Sequence, residues 1–188
     1  QGVPDFTGGL LNTVTWKQLS LNFLIDFKSG GDIFSGTNMR MTQQGFHKQT
    51  LQGRAGEAPL VLTGVTPDAS SSTGFKPFSK TLTPGEAQNY WNKLGQESSA
   101  ATEQFVYDAS FIKLRQLTLG YTLPRKIFGK APIQNIMVSL VGRNLAILHK
   151  NTPNIDPESN YNNTNNQGFD YFGMPATRSY GFNIRVVF

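Results

Sequence analysis

Few side chains in this sequence are of types and spacings suited to chemistry. His47 and His149 stand about a hundred positions apart, each in or beside a loop, with no cysteine and no paired histidine close by. A shared metal ion is one reading of them, but two independent surface histidines fit the spacing better. Asp156 and Glu158, followed by a run of asparagines, offer the oxygen ligands calcium prefers, but lack the spacing of an EF-hand loop. They read either as a calcium site or as a solvated polar loop; no other metal or cofactor is expected. No Ser/His/Asp arrangement or carboxylate pair stands out, and no glycine pattern follows a strand and opens a helix. No catalytic residue is therefore expected, and an enzyme is the least supported class. A different chemistry is contact through aromatic rings. Tyr90 and Trp91 in one long loop, and Tyr161, Phe169, Tyr171 and Phe172 in another, are candidates to touch a substrate or a partner, or to pack the loops on themselves.

The elements that must position these residues are strands. From Leu19 to Lys28 the chain alternates: Leu19, Leu21, Phe23, Ile25 and Phe27 fall on one face, and Asn22, Asp26 and Lys28 fall on the other. The last eleven residues repeat the pattern, with Tyr180, Phe182, Ile184, Val186 and Phe188 on one face and Asn183 on the other. An oily face ending on an aromatic suits lipid and the water–lipid boundary, so the two apolar rows are expected to face lipid and the four polar residues a lumen. Further strands are expected near 8–16, 105–123 and 135–148, with extracellular loops near 29–104 and 149–177. In the third strand Lys113 and Arg115 break the phase: either a bulge resets the register there, or that end stands above the membrane. Thr83 to Glu86 reads as a capping box opening a short helix through about Leu94.

Composition agrees with an all-β chain. Of 188 residues only 15% are charged against 12% aromatic, there are 19 glycines, and no apolar run reaches the length of a membrane helix. The absence of cysteine excludes disulfides and thiolate metal sites. The net charge of +5 is spread over single basic residues with no run or motif, so no nucleic-acid partner is expected. The two short and two long connections match the unequal turns of outer-membrane barrels. Five strands cannot close a barrel in hydrocarbon, so the chain is expected to complete a sheet supplied by the remainder of a longer polypeptide.

Several motifs, in order, carry a resemblance. Pro4-Asp-Phe-Thr-Gly-Gly9, Leu19-Ser-Leu-Asn-Phe23, Gly30-Gly-Asp-Ile-Phe34, Tyr107-Asp-Ala-Ser-Phe-Ile-Lys-Leu-Arg115, Leu119-Gly-Tyr-Thr-Leu-Pro124 and Gly142-Arg-Asn-Leu145 resemble the closing strands of SusC/RagA-type TonB-dependent transporters. The resemblance implies that residues 1–188 are the last five antiparallel strands of a plugged barrel of about 22 strands, with the plug domain outside this chain. It further implies import of large nutrients, glycans or oligopeptides, across the outer membrane of a Gram-negative bacterium of Bacteroidetes type. The partners implied are a SusD-like surface lipoprotein and, through the missing N-terminal part, TonB. The rival readings are another type of outer-membrane barrel and a soluble or surface-exposed β-sandwich that binds glycans. A sandwich would bury the same alternating faces against a second sheet.

Overall fold

The computed structural model describes residues 2–98, 101–159 and 167–188. In chain order the strands are β1 (Phe6–Trp16), β2 (Leu19–Ser29), β3 (Asp32–Ser35), β4 (Val61–Pro67), β5 (Phe75–Thr81), β6 (Val106–Asp108), β7 (Phe111–Thr122), β8 (Asn135–Lys150), β9 (Phe169–Asp170) and β10 (Ser179–Val187). Two α-helices, α1 (Gly36–Gln43) and α2 (Pro84–Leu94), lie in the long connection between β2 and β7. Among the described residues no helix is long and apolar enough to cross a membrane. The chain divides into two compact units, residues 1–34 with 107–188, and residues 35–106.

The first unit is built on an antiparallel five-stranded sheet in the order β1-β2-β7-β8-β10. A two-residue turn joins β1 to β2, with Lys17 at φ 55°, and pairs Trp16 with Leu19. Residues opposite one another in an antiparallel ladder share a face, so the register assigns every side chain. One face carries the row Val14, Leu21, Leu119, Leu140 and Phe182, and beside it Trp16, Leu19, Tyr121, Val138 and Ile184. The other face carries Thr13, Asn22, Thr118 and Val141, and beside them Ser20, Gly120, Ser139 and Asn183. The first face is bare: Leu140 is 62% exposed, and Tyr180 and Phe182 are each 74% exposed.

The phase conflict in β7 is resolved by a bulge. Leu24 pairs with Gln116 and Ile25 with Leu114, which leaves Arg115 out of the ladder. The skipped residue returns Leu114 and Ile112 to the apolar face and sends Lys113 to the polar face opposite Asp26. On β8 the same irregularity leaves Asn144 and Leu145 unpaired, with Asn144 in the left-handed region at φ 50°. The Asn144 side-chain amide donates to the Thr177 carbonyl at 3.1 Å, and Leu145 folds back over Gly142, where no side chain competes for the space.

At one end of the sheet three of the sequence motifs meet. Gly30 and Gly31 turn the chain out of β2 at φ 76° and 80°, a conformation glycine adopts without strain. The Gly30 N–H donates to the Ser110 hydroxyl and the Ala109 N–H to the Gly31 carbonyl, both at 2.8 Å. The turn sends β3 between β6 and β9 in a three-stranded sheet. Ile33, Ala109 and Ile155 form a small buried core there, with Tyr107 packed against it.

Residues 35–106 contain, besides the helix expected after Thr83, a second helix and a two-stranded hairpin. The Ser35 hydroxyl accepts from the Asn38 N–H at 3.0 Å and caps α1, which packs on α2. At α2 the capping box is formed: the Glu86 carboxylate accepts from the Thr83 N–H at 2.9 Å, and the Thr83 hydroxyl from the Glu86 N–H at 3.4 Å. Lys80 also donates to Glu86, and these bonds hold its carboxyl down to about 2. β4 and β5 form a two-stranded hairpin.

Candidate functional site

The polar face of the sheet carries a charged cluster built around β7. The bulge places Lys113 and Arg115 on this face, where Asp26 of β2 accepts from Arg115 Nε at 2.8 Å. The chain after β8 then returns across the face as a strap, residues 151–159. Lys113 Nζ donates to Asp156 and to Glu158, both at 2.5 Å, and Arg115 also donates to Glu158. Lys113 is buried, 4% exposed, and the Phe111 ring lies under its ammonium at 4.9 Å. The strap is fastened further by Lys150, whose ammonium donates to the Ile155 carbonyl at 2.8 Å, and by Ser159, whose hydroxyl donates to Asp170 at 2.6 Å.

The strap departs from the expectation of a solvated loop with little to pack, because Ile155 enters the core and the two acidic residues meet cations. Burial pushes the Asp156 carboxyl up, but the bonds from Lys113 and the Glu158 N–H outweigh it and leave Asp156 below its ordinary value. Glu158 is likewise lowered, the hydrogen bonds from Arg115 and Lys113 overcoming its burial. The oxygens read as calcium ligands are thus engaged by Lys113 and Arg115. Among the described residues no group of three His, Cys, Asp or Glu side chains could hold a metal ion.

The remaining sequence candidates are placed as follows. Asp26, Lys28 and Glu158 line a hollow of about 330 Å³ on the polar face. Asn22 accepts from the Thr13 hydroxyl at 2.6 Å across β1 and β2, and Asn183 stands opposite Ser139. Phe169 stacks on Phe34 with ring centres 5.4 Å apart and on Tyr171 at 6.3 Å, while Phe172, 60% exposed, meets Tyr171 edge-on. Tyr161 lies outside the described residues. Tyr90 and Trp91 are neighbours on α2, edge to face at 5.0 Å, and the Trp91 indole N–H donates to the Gln52 carbonyl at 2.9 Å. His149 pairs with Ile112 in the sheet. His47 is buried in residues 35–106, accepts from the Gln49 N–H at Nδ1, and has its basicity lowered by burial.

Sequence reasoning missed the Lys113–Asp156–Glu158–Arg115–Asp26 network. Its only trace in the sequence was the phase conflict at Lys113 and Arg115. Two adjacent cations on an apolar face are costly enough that the chain must turn them elsewhere.

No protein-family model matches the chain. Its sequence is 26% identical over 191 residues to TonB-dependent receptor P3 of Formosa agariphila, an alignment covering 98% of this chain and 16% of that protein. It is 27% identical over 194 residues to TonB-dependent receptor P26 of the same organism, covering 99% and 17%. Among solved structures it is similar to the RagAB peptide transporter, with a TM-score of 0.63 and 22% identity over 98% of this chain and 17% of that one. The chain spans about a sixth of the length of the curated relatives it matches. On sequence and fold together, it resembles a segment of a SusC/RagA-type TonB-dependent receptor.

Proposed function

We propose that this chain is a wall segment of a SusC-like TonB-dependent outer-membrane importer of large nutrients, glycans or oligopeptides. It supplies barrel strands and extracellular loops. Its apolar face meets lipid, and its polar face, with Asn22, Asp26, Lys28 and Asn183, meets the lumen. The rest of the barrel pairs with the edge strands β1 and β10, a SusD-like lipoprotein covers the outer loops, and TonB acts through a plug elsewhere in the transporter. The segment has no catalytic role of its own.

The observation that carries this reading is the bare apolar face. A monomeric soluble protein rarely leaves a contiguous apolar patch of more than a few hundred Å² in water. Here aromatic and aliphatic side chains from all five strands stand exposed on one face, with Tyr180, Phe182 and Leu140 among the most open. A β-sandwich needs a second sheet over this face, and the described residues supply none. Open sheet edges in hydrocarbon cost several kcal/mol for each unsatisfied group, which is why the wall must continue on both sides.

The test uses Phe182→Cys, which places a thiol in a chain that has none. A polarity-sensitive fluorophore attached there, in outer-membrane vesicles, should be quenched by nitroxide-labelled lipid and not by aqueous iodide. Quenching by iodide alone would sink the proposal. Protection from both quenchers would favour the sandwich.

A further inference from the structure

We propose that the end of the sheet formed by its two short turns is a docking surface for anionic phospholipid headgroups. The inference rests on the importer reading, which sets the apolar face in lipid and the short turns at the periplasmic membrane boundary. The basic residues concerned are scattered along the sequence, and the sheet gathers them. The β1–β2 turn holds Lys17, and the connection from β7 to β8 holds Arg125, Lys126 and Lys130. The Thr122 N–H donates to the Gln18 carbonyl at 2.8 Å, which sets the two turns side by side. The second turn is itself ordered. Arg125–Ile127 form one turn of 3-10 helix, in which the Ile127 N–H donates to the Pro124 carbonyl and the Phe128 N–H to the Arg125 carbonyl, both at 3.0 Å. All four cations are exposed, and none makes a side-chain hydrogen bond or ion pair among the described residues.

Charge is segregated along the sheet. No Asp or Glu occurs in residues 6–25, 109–155 or 171–188, which include both turns and the strand ends beside them. The carboxylates that meet Lys113 and Arg115, those of Asp26, Asp156 and Glu158, lie toward the opposite end. The cations of the short turns therefore have no carboxylate side chain near them to answer their charge.

These cations are mixed with apolar side chains, and that narrows the partner. Lys17 Nζ lies over the Trp16 ring, 5.0 Å from its centre, and Trp16 stands 65% exposed on the apolar face. Ile127, between Lys126 and Phe128, is 63% exposed. A soluble polyanion would answer the charge and leave both of these side chains in water. A phospholipid leaflet answers both features: phosphodiesters take the cations, and the layer just beneath takes the indole and the Ile127 side chain. Arg125 offers a planar fork that matches phosphate oxygens, and the lysines act as point charges. A zwitterionic headgroup already compensates its phosphate with its own ammonium, so uncompensated protein cations favour lipids of net negative charge.

The experiment measures lipid selectivity around the intact protein that carries this chain, in vesicles of equal parts phosphatidylglycerol and phosphatidylcholine. A fluorophore on Gln18→Cys, in the first turn, is exposed to a trace of nitroxide-labelled lipid of one class or the other. At low salt, quenching by labelled phosphatidylglycerol should exceed that by labelled phosphatidylcholine ~3- to 10-fold. The two should approach equality in about 1 M salt, where exposed charges are screened within a few ångströms. They should also be equal at low salt when Lys17→Gln, Arg125→Gln, Lys126→Gln and Lys130→Gln are combined, a variant that breaks no internal hydrogen bond or ion pair of these side chains. Equal quenching by the two lipids in the otherwise wild-type protein at low salt, or selectivity unchanged in the fourfold variant, overturns the proposal. The fluorophore at position 182 reads the wall assignment separately. Quenching there by both lipids alike leaves that assignment standing when selectivity at position 18 fails, and no lipid quenching at either position overturns both.

Discussion

Lys113 is the residue on which the polar face turns. Its ammonium is buried and serves two carboxylates, so removing it strands Asp156 beside the sheet. Truncating one partner of a buried ion pair typically costs ~3–5 kcal/mol, even where the intact pair is worth little against an apolar replacement. Lys113→Ala should therefore release the strap, seen as faster hydrogen exchange across residues 151–159 with β1 and β2 unchanged. The acid dependence has a definite sign. Asp156 and Glu158 are lowered from unperturbed values of 3.8 and 4.5, so their stabilising effect is complete above those values and is lost as pH falls through the lowered ones. Exchange in the strap should stay flat from pH 7 to roughly 5 and rise below roughly 4. In Lys113→Ala, Asp156 loses its main counterweight to burial while Glu158 keeps its bond from Arg115, so the acid dependence of the strap should be weaker than in wild type. If wild type and variant lose the strap at the same acid pH, the ion pairs do not hold it. Beyond the phase conflict at Lys113 and Arg115, the pairing was not legible beforehand: Lys113 and its acidic partners are 43 and 45 positions apart, and the sequence does not name partners at that range.

At the scale of elements, what could be read followed from periodicity. β2 and β10 alternate because each strand separates two environments, and that alternation is a property of the sequence itself. The bulge in β7 was legible as an inconsistency, two cations in the wrong phase, although its exact position was not. α1 was not legible. Its buried residues are Gly36, Asn38, Met39 and Thr42, too polar to show an apolar stripe, and it is held by the Ser35 cap and by packing on α2. The Gly142-Arg-Asn-Leu145 motif was legible as a pattern without a mechanism. The structure supplies one: the unpaired residue Asn144 sits at φ 50°, and Leu145 fills the space over Gly142. Asn144→Gly should be nearly neutral, losing only the bond to Thr177. Asn144→Val forces a β-branched residue into the left-handed region and should cost about 1–2 kcal/mol or more. Urea unfolding of the two variants in the same detergent measures the difference. Equal stability would show that the motif is not there for its backbone conformation.

For the whole molecule the decisive asymmetry is between the two faces of one sheet. Leu140 and Asn183 are near neighbours in the β8–β10 ladder, Leu140 opposite Phe182 and Asn183 opposite Ser139, yet they point to opposite sides. In a soluble domain with both faces wet, a lysine at either position would be nearly harmless. In a barrel wall the same substitution is divided by its surroundings: a charge on the lipid face costs ~2–4 kcal/mol at the membrane midplane, whereas a lumen position tolerates it. Leu140→Lys should therefore destabilise the protein in lipid by that amount and reduce the fraction that assembles into outer membrane, while Asn183→Lys should leave both close to wild type. Depth supplies an internal control. Phe188, at the end of the chain and placed at the water–lipid boundary in the proposed arrangement, should accept lysine at a cost of about 0–1 kcal/mol. Reversible unfolding in lipid vesicles, run on the three variants together, gives a gradient in cost if lipid covers the apolar face. Three equal costs would mean that water covers it, and the bare face would then need a different occupant.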